Sequence, residues 1–266
     1  MLNNKRIVVV MPAYNAEKTL KQTYDEIPKN IIDEIILIDD KSCDKTPQVA
    51  KDLNITTIVH KENTGYGGNQ KTCYKAALKA GADIVIMLHP DYQYTPSLIP
   101  AIASMLVFSR YDIVIASRMI SQALKGGMPL YKYIANKFLT SFENFFLGQH
   151  LSEYHTGFRG YTKEVLENLP LEDCDDDFIF DNEILVLAHY KGYEIGEVSC
   201  PTKYFPDASS INFLRSCKYG FGVIGTSIKY FFANLGIYKS KIFKSDAKKL
   251  DLSQDIEYFH KHCEIK

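Results

Sequence analysis

Five short β-branched runs, separated by segments of helical spacing and turn-rich loops, constrain this chain more than any other feature. The runs are Ile7 to Met11, Glu34 to Asp39, Thr56 to Val59, Ile84 to Leu88 and Ile113 to Ala116. Between them, Glu17 to Ile27, Thr46 to Leu53 and Gly68 to Ala80 repeat apolar residues at helical intervals. Nearly continuous apolar strands alternating with helices predict an α/β fold, a mostly parallel sheet covered on both faces. In such sheets ligands sit beyond the carboxyl ends of the strands, so the residues just after each strand are the ones to read.

Those residues are polar and turn-forming. Pro12, Ala13, Tyr14 and Asn15 follow the first run, Asp39 and Asp40 close the second, and a glycine-rich stretch from Asn63 to Asn69 follows the third. His89, Pro90 and Asp91 follow the fourth, and Arg118 follows the fifth. Acids, amides and a base delivered to one sheet edge exceed what loops need, although each residue alone also suits a turn or a helix N-cap.

The length of 266 residues suits one large α/β domain or a domain with an appendage, and 46% apolar residues supply its core. A formal charge of −1 gives no support to a nucleic-acid partner, which calls for a basic surface. The six cysteines show no C-x-x-C pair, so unpaired thiols of a reducing compartment are expected rather than a zinc site or a disulfide framework. No signal-peptide pattern opens the chain, and Lys229 interrupts the best apolar stretch. A soluble or peripheral protein of the cytoplasm or its membrane face is expected.

Asp91 ends the most suggestive constellation. A carboxylate just past a buried strand suits a hard divalent cation, Mg2+ or Mn2+, that keeps phosphate oxygens in its shell. His89 stands two residues before it and Gln93 two after. Asp91 also suits the cap of a helix over Pro96 to Met105, and His89 suits a half-buried, hydrogen-bonded histidine. Asp39 and Asp40 can accept hydrogen bonds from a base or ribose, or cap the turn that follows them.

Taken together, Pro12-Ala13-Tyr14-Asn15, Asp39-Asp40-Lys41-Ser42-Cys43-Asp44-Lys45-Thr46 and Asn63-Thr64-Gly65-Tyr66-Gly67 resemble glycosyltransferase family 2. Thr156-Gly157-Phe158-Arg159-Gly160-Tyr161 and Phe180-Asp181-Asn182-Glu183 resemble its polyprenyl-phosphate (dolichyl-phosphate) sugar transferase branch. The resemblance spans about residues 5 to 212 and implies a GT-A fold. It implies an inverting, metal-assisted transfer of a hexose from a UDP- or GDP-sugar. Pro12, Tyr14, Asn15, Asp39 and Asp40 would then meet the nucleotide, Asp91 with Gln93 and His89 the metal, and Arg118, Arg159 and Lys203 phosphate. Two departures stand out: His89 replaces the first acid of the D-x-D motif, and Ala16 follows Asn15 where the branch often has Glu.

Transfer to a sugar hydroxyl needs a general base, whereas a phosphate acceptor is already ionised. Counting back from Gly192-Tyr193, the family's acidic pair falls on Asp181 and Asn182, and an amide cannot take a proton. This favours a lipid phosphate as acceptor, held by cations. The alternatives are a glycan hydroxyl with Asp181 or Glu183 as base, and a non-catalytic nucleotide-sugar binder. Residues 1–212 are expected to form the GT-A domain, 213–244 an amphipathic helical appendage, and 245–266 a charged tail. Within the appendage, Phe221, Ile224, Ile228, Phe231, Phe232 and Leu235 fall at helical spacing among basic residues. The pattern fits a membrane surface, the domain core or a second subunit, so peripheral membrane contact and homo-oligomerisation both stay open.

Overall fold

The computed structural model describes residues 1–121, 123–204 and 213–253. All five expected strands are present: β1 (Ile7–Ala13), β2 (Glu34–Asp39), β3 (Thr56–Val59), β4 (Ile84–Met87) and β5 (Ile113–Ser117). Two more join them, β6 (Arg159–Thr162) and β7 (Ile195–Ser199), in one sheet of order β3-β2-β1-β4-β6-β5-β7. β6 runs antiparallel to both neighbours, and the other pairings are parallel. β1 lies between β2 and β4, so the strand order reverses there and leaves a crevice at its carboxyl end.

The sheet is buried on both faces. Val8 and Val10 enter one apolar cluster, while Ile7, Val9 and Met11 enter the other, as strict alternation along an extended chain requires. Helices α1 (Leu20–Asp25), α2 (Thr46–Asp52), α3 (Gly65–Lys79) and α4 (Ile99–Phe108) cover the first half. α3 starts three residues earlier than its apolar spacing suggested, so five of the seven residues of the glycine-rich stretch are helix. A 3-10 turn over Pro96–Leu98 leads into α4, and Asp91 lies too far upstream to cap either.

The second half holds α5 (Leu130–Leu147), α6 (Lys163–Asn168), α7 (Phe180–Tyr190) and α8 (Phe213–Asn234). α8 packs against α5 and α7, and its Tyr230 and Ala233 join the main core cluster. Among the described residues no helix is long and apolar enough to cross a membrane. Of the expected loop from Pro201 to Ile211, residues 205–211 lie outside the described residues, as do residues 254–266 of the charged tail. Cys43, Cys73, Cys174, Cys200 and Cys217 are free thiols.

Candidate active site

The crevice beyond β1 is a cavity of about 540 Å³ lined by Pro12, Tyr14, Asn15, Asp40, His89 and Asp91, with Arg215 of α8. Its rim is knitted by the motif residues themselves. The Asn15 N–H donates to Ser42 Oγ (2.8 Å), and Asn15 Oδ1 accepts from the Cys43 N–H (2.9 Å). Ser42 in turn donates its hydroxyl and its N–H to the two carboxylate oxygens of Asp39 (2.5 and 2.9 Å). Asp44 holds the Thr46 hydroxyl and the Glu17 N–H, and Thr46 receives the Ala16 N–H. The loops after β1 and β2 are thus laced together.

This corrects the expectation for Asp39. It is fully buried, spends its carboxylate on Ser42, and does not line the cavity. Asp40 does line it, yet it caps α3 by accepting from the N–H groups of Thr64 and Gly65 (2.8 and 3.1 Å). Burial pushes the Asp40 carboxyl up, and bonds from His60 and Thr64 more than offset this and hold it below its ordinary value.

Asp91 is half-buried on the cavity wall, with one carboxylate oxygen accepting the Gln93 N–H (3.1 Å). His89 stands beside it with its ring parallel to Tyr66, 5.4 Å between centroids. Tyr66 donates its one proton to Asp181 Oδ2 (2.6 Å), so its oxygen accepts from His89 Nε2 (3.2 Å) and fixes that tautomer. Burial pushes the His89 imidazole down, towards the neutral form. Gly157 explains itself here, because a Cβ at that position would stand 2.6 Å from His89 Nε2.

The expected trio of His89, Asp91 and Gln93 is split between two cavities, with only His89 and Asp91 on the wall of the first. Gln93 is buried and faces a second cavity, and no cluster of three or more metal-ligating His, Cys, Asp or Glu exists among the described residues. Asp91 is the one acid of the three, and it lines the first cavity. Lys203 is also displaced from its expected place: it is exposed, lies with Nζ 5.2 Å from the Tyr92 ring, and lines neither cavity.

The second cavity, about 490 Å³, lies between α5, α8 and the end of β5. Tyr66 and Phe178, 4.6 Å apart between ring centroids, line both cavities and form the partition between them. Most of the second wall is apolar, including Phe138, Leu139, Phe221 and Ile224. Its polar end gathers Arg118, Lys132, His155, Asp181 and Tyr219. Arg118 is held by buried Glu153 through Nε (2.8 Å) and by the Tyr204 hydroxyl (3.0 Å). Burial pushes the Glu153 carboxyl up, and the Arg118 guanidinium more than reverses that. Burial and the charge of Arg118 lower the Lys132 ammonium, which marks two cations converging at one end.

Asp181 lies on the wall as expected, but its oxygens already accept from Tyr66 and from Gln70 (3.0 Å). Arg159 is the clearest correction. Its side chain is fully buried and donates to the carbonyls of Thr156 (2.5 Å), Asp181 (2.5 Å) and Tyr154 (2.9 Å), with Asp181 Oδ1 at 3.6 Å. With no exposed surface and no place on either cavity wall, this guanidinium cannot reach a phosphate. Glu183 accepts from the Asp175 N–H and lines neither cavity.

Tyr66, Lys132, His155 and Tyr219 are site residues that the sequence reading missed. Tyr66 was within a quoted motif, but nothing in spacing marks a tyrosine as a partition. His155 contacts Tyr219 through Nδ1 (2.8 Å) and Glu143 through Nε2 (3.3 Å). Burial pushes the imidazole down to about 4 and the Glu143 carboxyl well up, so it favours the neutral form of each. Above about pH 6.5 the His155 ring is uncharged whether the chain is folded or not. As pH falls from 6.5 towards 4 only the unfolded chain takes up that proton, and His155 is expected to withdraw up to about 3 kcal/mol of stability. Glu143 acts in the opposite sense over part of this range. The His155 share is therefore read from the difference between wild type and His155→Asn in urea unfolding at pH 7 and pH 5. A difference that does not change with pH would refute it.

The sequence profile of glycosyl transferase family 2 matches residues 8–169. The uncharacterized protein MJ1222 of Methanocaldococcus jannaschii is 30% identical over 203 residues, covering 76% of this chain and 84% of that protein. A UDP-N-acetylglucosamine–dolichyl-phosphate N-acetylglucosaminyltransferase of Methanococcus voltae is 29% identical over 219 residues, with 76% and 87% covered. Among solved structures, glucosyl-3-phosphoglycerate synthase of Mycobacterium tuberculosis with UDP superposes with a TM-score of 0.67 at 19% identity. That match covers 90% of this chain and 83% of the synthase, which has also been solved with Mn2+ and UDP-glucose.

Proposed function

The chain belongs to glycosyl transferase family 2 and has the GT-A fold, and on that premise we propose that it transfers a hexose from a nucleotide-diphosphate sugar to a polyprenyl-phosphate-type lipid. One observation carries the reading: a polar strand-end cavity and an apolar, cation-ended cavity meet at a shared partition of Tyr66 and Phe178. The first suits a nucleotide, with Asn15, Asp40 and Tyr14 on its wall. The second suits a prenyl phosphate, its chain among Phe138, Leu139 and Ile224 and its anion near Arg118 and Lys132.

In this reading Asp91 is the protein's ligand to a divalent cation, Mg2+ or Mn2+. The chemistry of the donor set fits, because such ions take one or two carboxylates and complete their shell with substrate phosphates and water. When bound, the ion neutralises charge developing on the departing diphosphate. The remaining work falls to side chains. Arg118 and Lys132 orient the acceptor phosphate, which attacks the anomeric carbon from the face opposite the leaving group. Tyr66 and Phe178 flank the junction of the two cavities and keep water from the point where the substrates meet. A phosphate nucleophile needs no base, in keeping with Asn182, whose side chain donates to Glu143 in the interior. Residues 1–212 act as the catalytic domain and 213–244 as an appendage that completes the acceptor cavity. The reaction belongs at the cytoplasmic face of a membrane, where a water-soluble donor and a lipid acceptor meet.

A second reading rests on Asp181 lining the same cavity: transfer to a sugar hydroxyl, with Asp181 as base. Such an acceptor would have to displace Tyr66 or Gln70 from that carboxylate. Radiolabelled UDP- and GDP-sugars, supplied with Mn2+ and a polyprenyl phosphate, separate the two. Label extracted into organic solvent is the expected result. Label that enters only added oligosaccharides favours the hydroxyl reading, and no transfer from any donor to either acceptor sinks both.

A further inference from the structure

Helix α5 is built inside out. Its buried positions are Asn136, Thr140, Glu143 and Leu147, three of them polar. Its exposed stripe is Tyr131, Ile134, Phe138 and Phe145, which are 53, 58, 61 and 81% exposed. A helix bordered by water has the reverse arrangement. The inward polar groups have partners, since Asn136 donates to Glu153 (2.7 Å) and Glu143 receives Asn182. Of the outward side chains, Ile134 and Phe145 line neither cavity.

α8 repeats the pattern. Leu214, Phe221 and Ile228 on its exposed side, and Leu235 just past its end, recur every seven residues, while Thr226 and Ser227 are buried. The two helices pack together, with Phe146 and Phe231 5.7 Å apart between ring centroids. Tyr131 and Phe138 from one stripe and Phe221 from the other also line the second cavity. The stripes therefore converge on its mouth, and apolar surface runs continuously from the outside into the chamber. A contiguous patch of this kind marks an interaction surface.

Charge identifies the occupant. Residues 119–142 and 213–244 contain nine Lys and Arg and no Asp or Glu, in a chain with 32 acids and a formal charge of −1. Lys218 and Lys241 pair with Asp177 and Asp173 while remaining about three-quarters exposed. Two copies of a face built from such basic segments repel one another, whereas anionic headgroups complement it and acyl chains receive its rings. We infer that the outward face of α5 and α8 docks on an anionic lipid bilayer and opens the second cavity directly into the lipid. Docking stands on the surface alone; the meaning of that opening, entry of a lipid acceptor, rests on the function proposed above.

The test uses the full chain with vesicles of phosphatidylcholine alone and of phosphatidylcholine mixed with phosphatidylglycerol. Wild type is expected to float with the anionic vesicles, and less so at raised salt or with the neutral ones. The variant Ile134→Ser/Phe145→Ser/Leu235→Ser alters the stripes outside the cavity wall. It should lower partitioning about tenfold or more with an unchanged circular dichroism spectrum and melting temperature. Undiminished partitioning of that variant, or no binding to anionic vesicles, overturns the inference. So does a lipid-free dimer that the same substitutions abolish, which would make a second copy the occupant. Turnover of a short-chain, water-soluble prenyl phosphate separates the two claims. Turnover without vesicle binding removes the docking face alone, and vesicle binding without turnover removes the lipid-phosphate reading alone.

Discussion

Replacing Asp91 by Asn is expected to reduce kcat/KM for sugar transfer by about a thousandfold or more, roughly 4 kcal/mol of transition-state stabilisation. The fold should barely respond. Asp91 is half-buried, and an asparagine keeps the carbonyl-type oxygen that receives the Gln93 N–H, so unfolding free energy should stay within about 0.5 kcal/mol of wild type. Only the negative charge is lost. Nucleotide-sugar binding followed by calorimetry should strengthen with Mn2+ in wild type and become indifferent to Mn2+ in the variant. A variant that turns over at the wild-type rate would remove the carboxylate from the chemistry and, with it, the assigned metal ligand.

Arg159→Leu should do the opposite, damaging the fold first. The guanidinium ties together three carbonyls and the Asp181 carboxylate with no exposed surface of its own. Its removal takes the ion-pair partner from the buried Asp181 carboxylate and a donor from each of three carbonyls, an effect of about 3–5 kcal/mol. Urea unfolding should show the midpoint falling accordingly, and soluble yield should drop. If instead the variant were as stable as wild type and lost only affinity for acceptor, Arg159 would be a phosphate ligand after all.

The difference between these two residues illustrates what could be read from the chain. Strand runs such as Ile7 to Met11 announce themselves because burial on both faces leaves no room for polar residues. β6 carries Arg159 and Gly160 in a four-residue strand, and its glycine is set by α4, since a Cβ there would meet Ile102 at 2.5 Å. No local signal encodes such a contact. α5 was missed for a different reason. Periodicity shows which residues share a helix face but not whether that face looks inward, and here the apolar stripe looks out.

Motif reading located the site better than it assigned roles. Pro12, Tyr14, Asn15, Asp40, His89 and Asp91 do share one cavity, and Arg118 and Asp181 share the adjoining one. Asp39, Gln93, Arg159 and Lys203 were placed by analogy, and their surroundings decide otherwise. A carboxylate in sequence looks alike whether it meets a ligand or a neighbouring serine. The side chain's burial, set by residues far away in sequence, makes that choice.

The lacing between Asn15, Ser42 and Asp39 has a bearing on how ligand enters. Loops at sheet edges ordinarily have to be frozen when something binds, and that ordering subtracts from affinity. Here the two segments already stiffen each other into a single lip, so an incoming nucleotide meets a surface whose shape was settled when the chain folded. Loosening one stitch, at Ser42 for instance, would slacken both sides of the entrance at once.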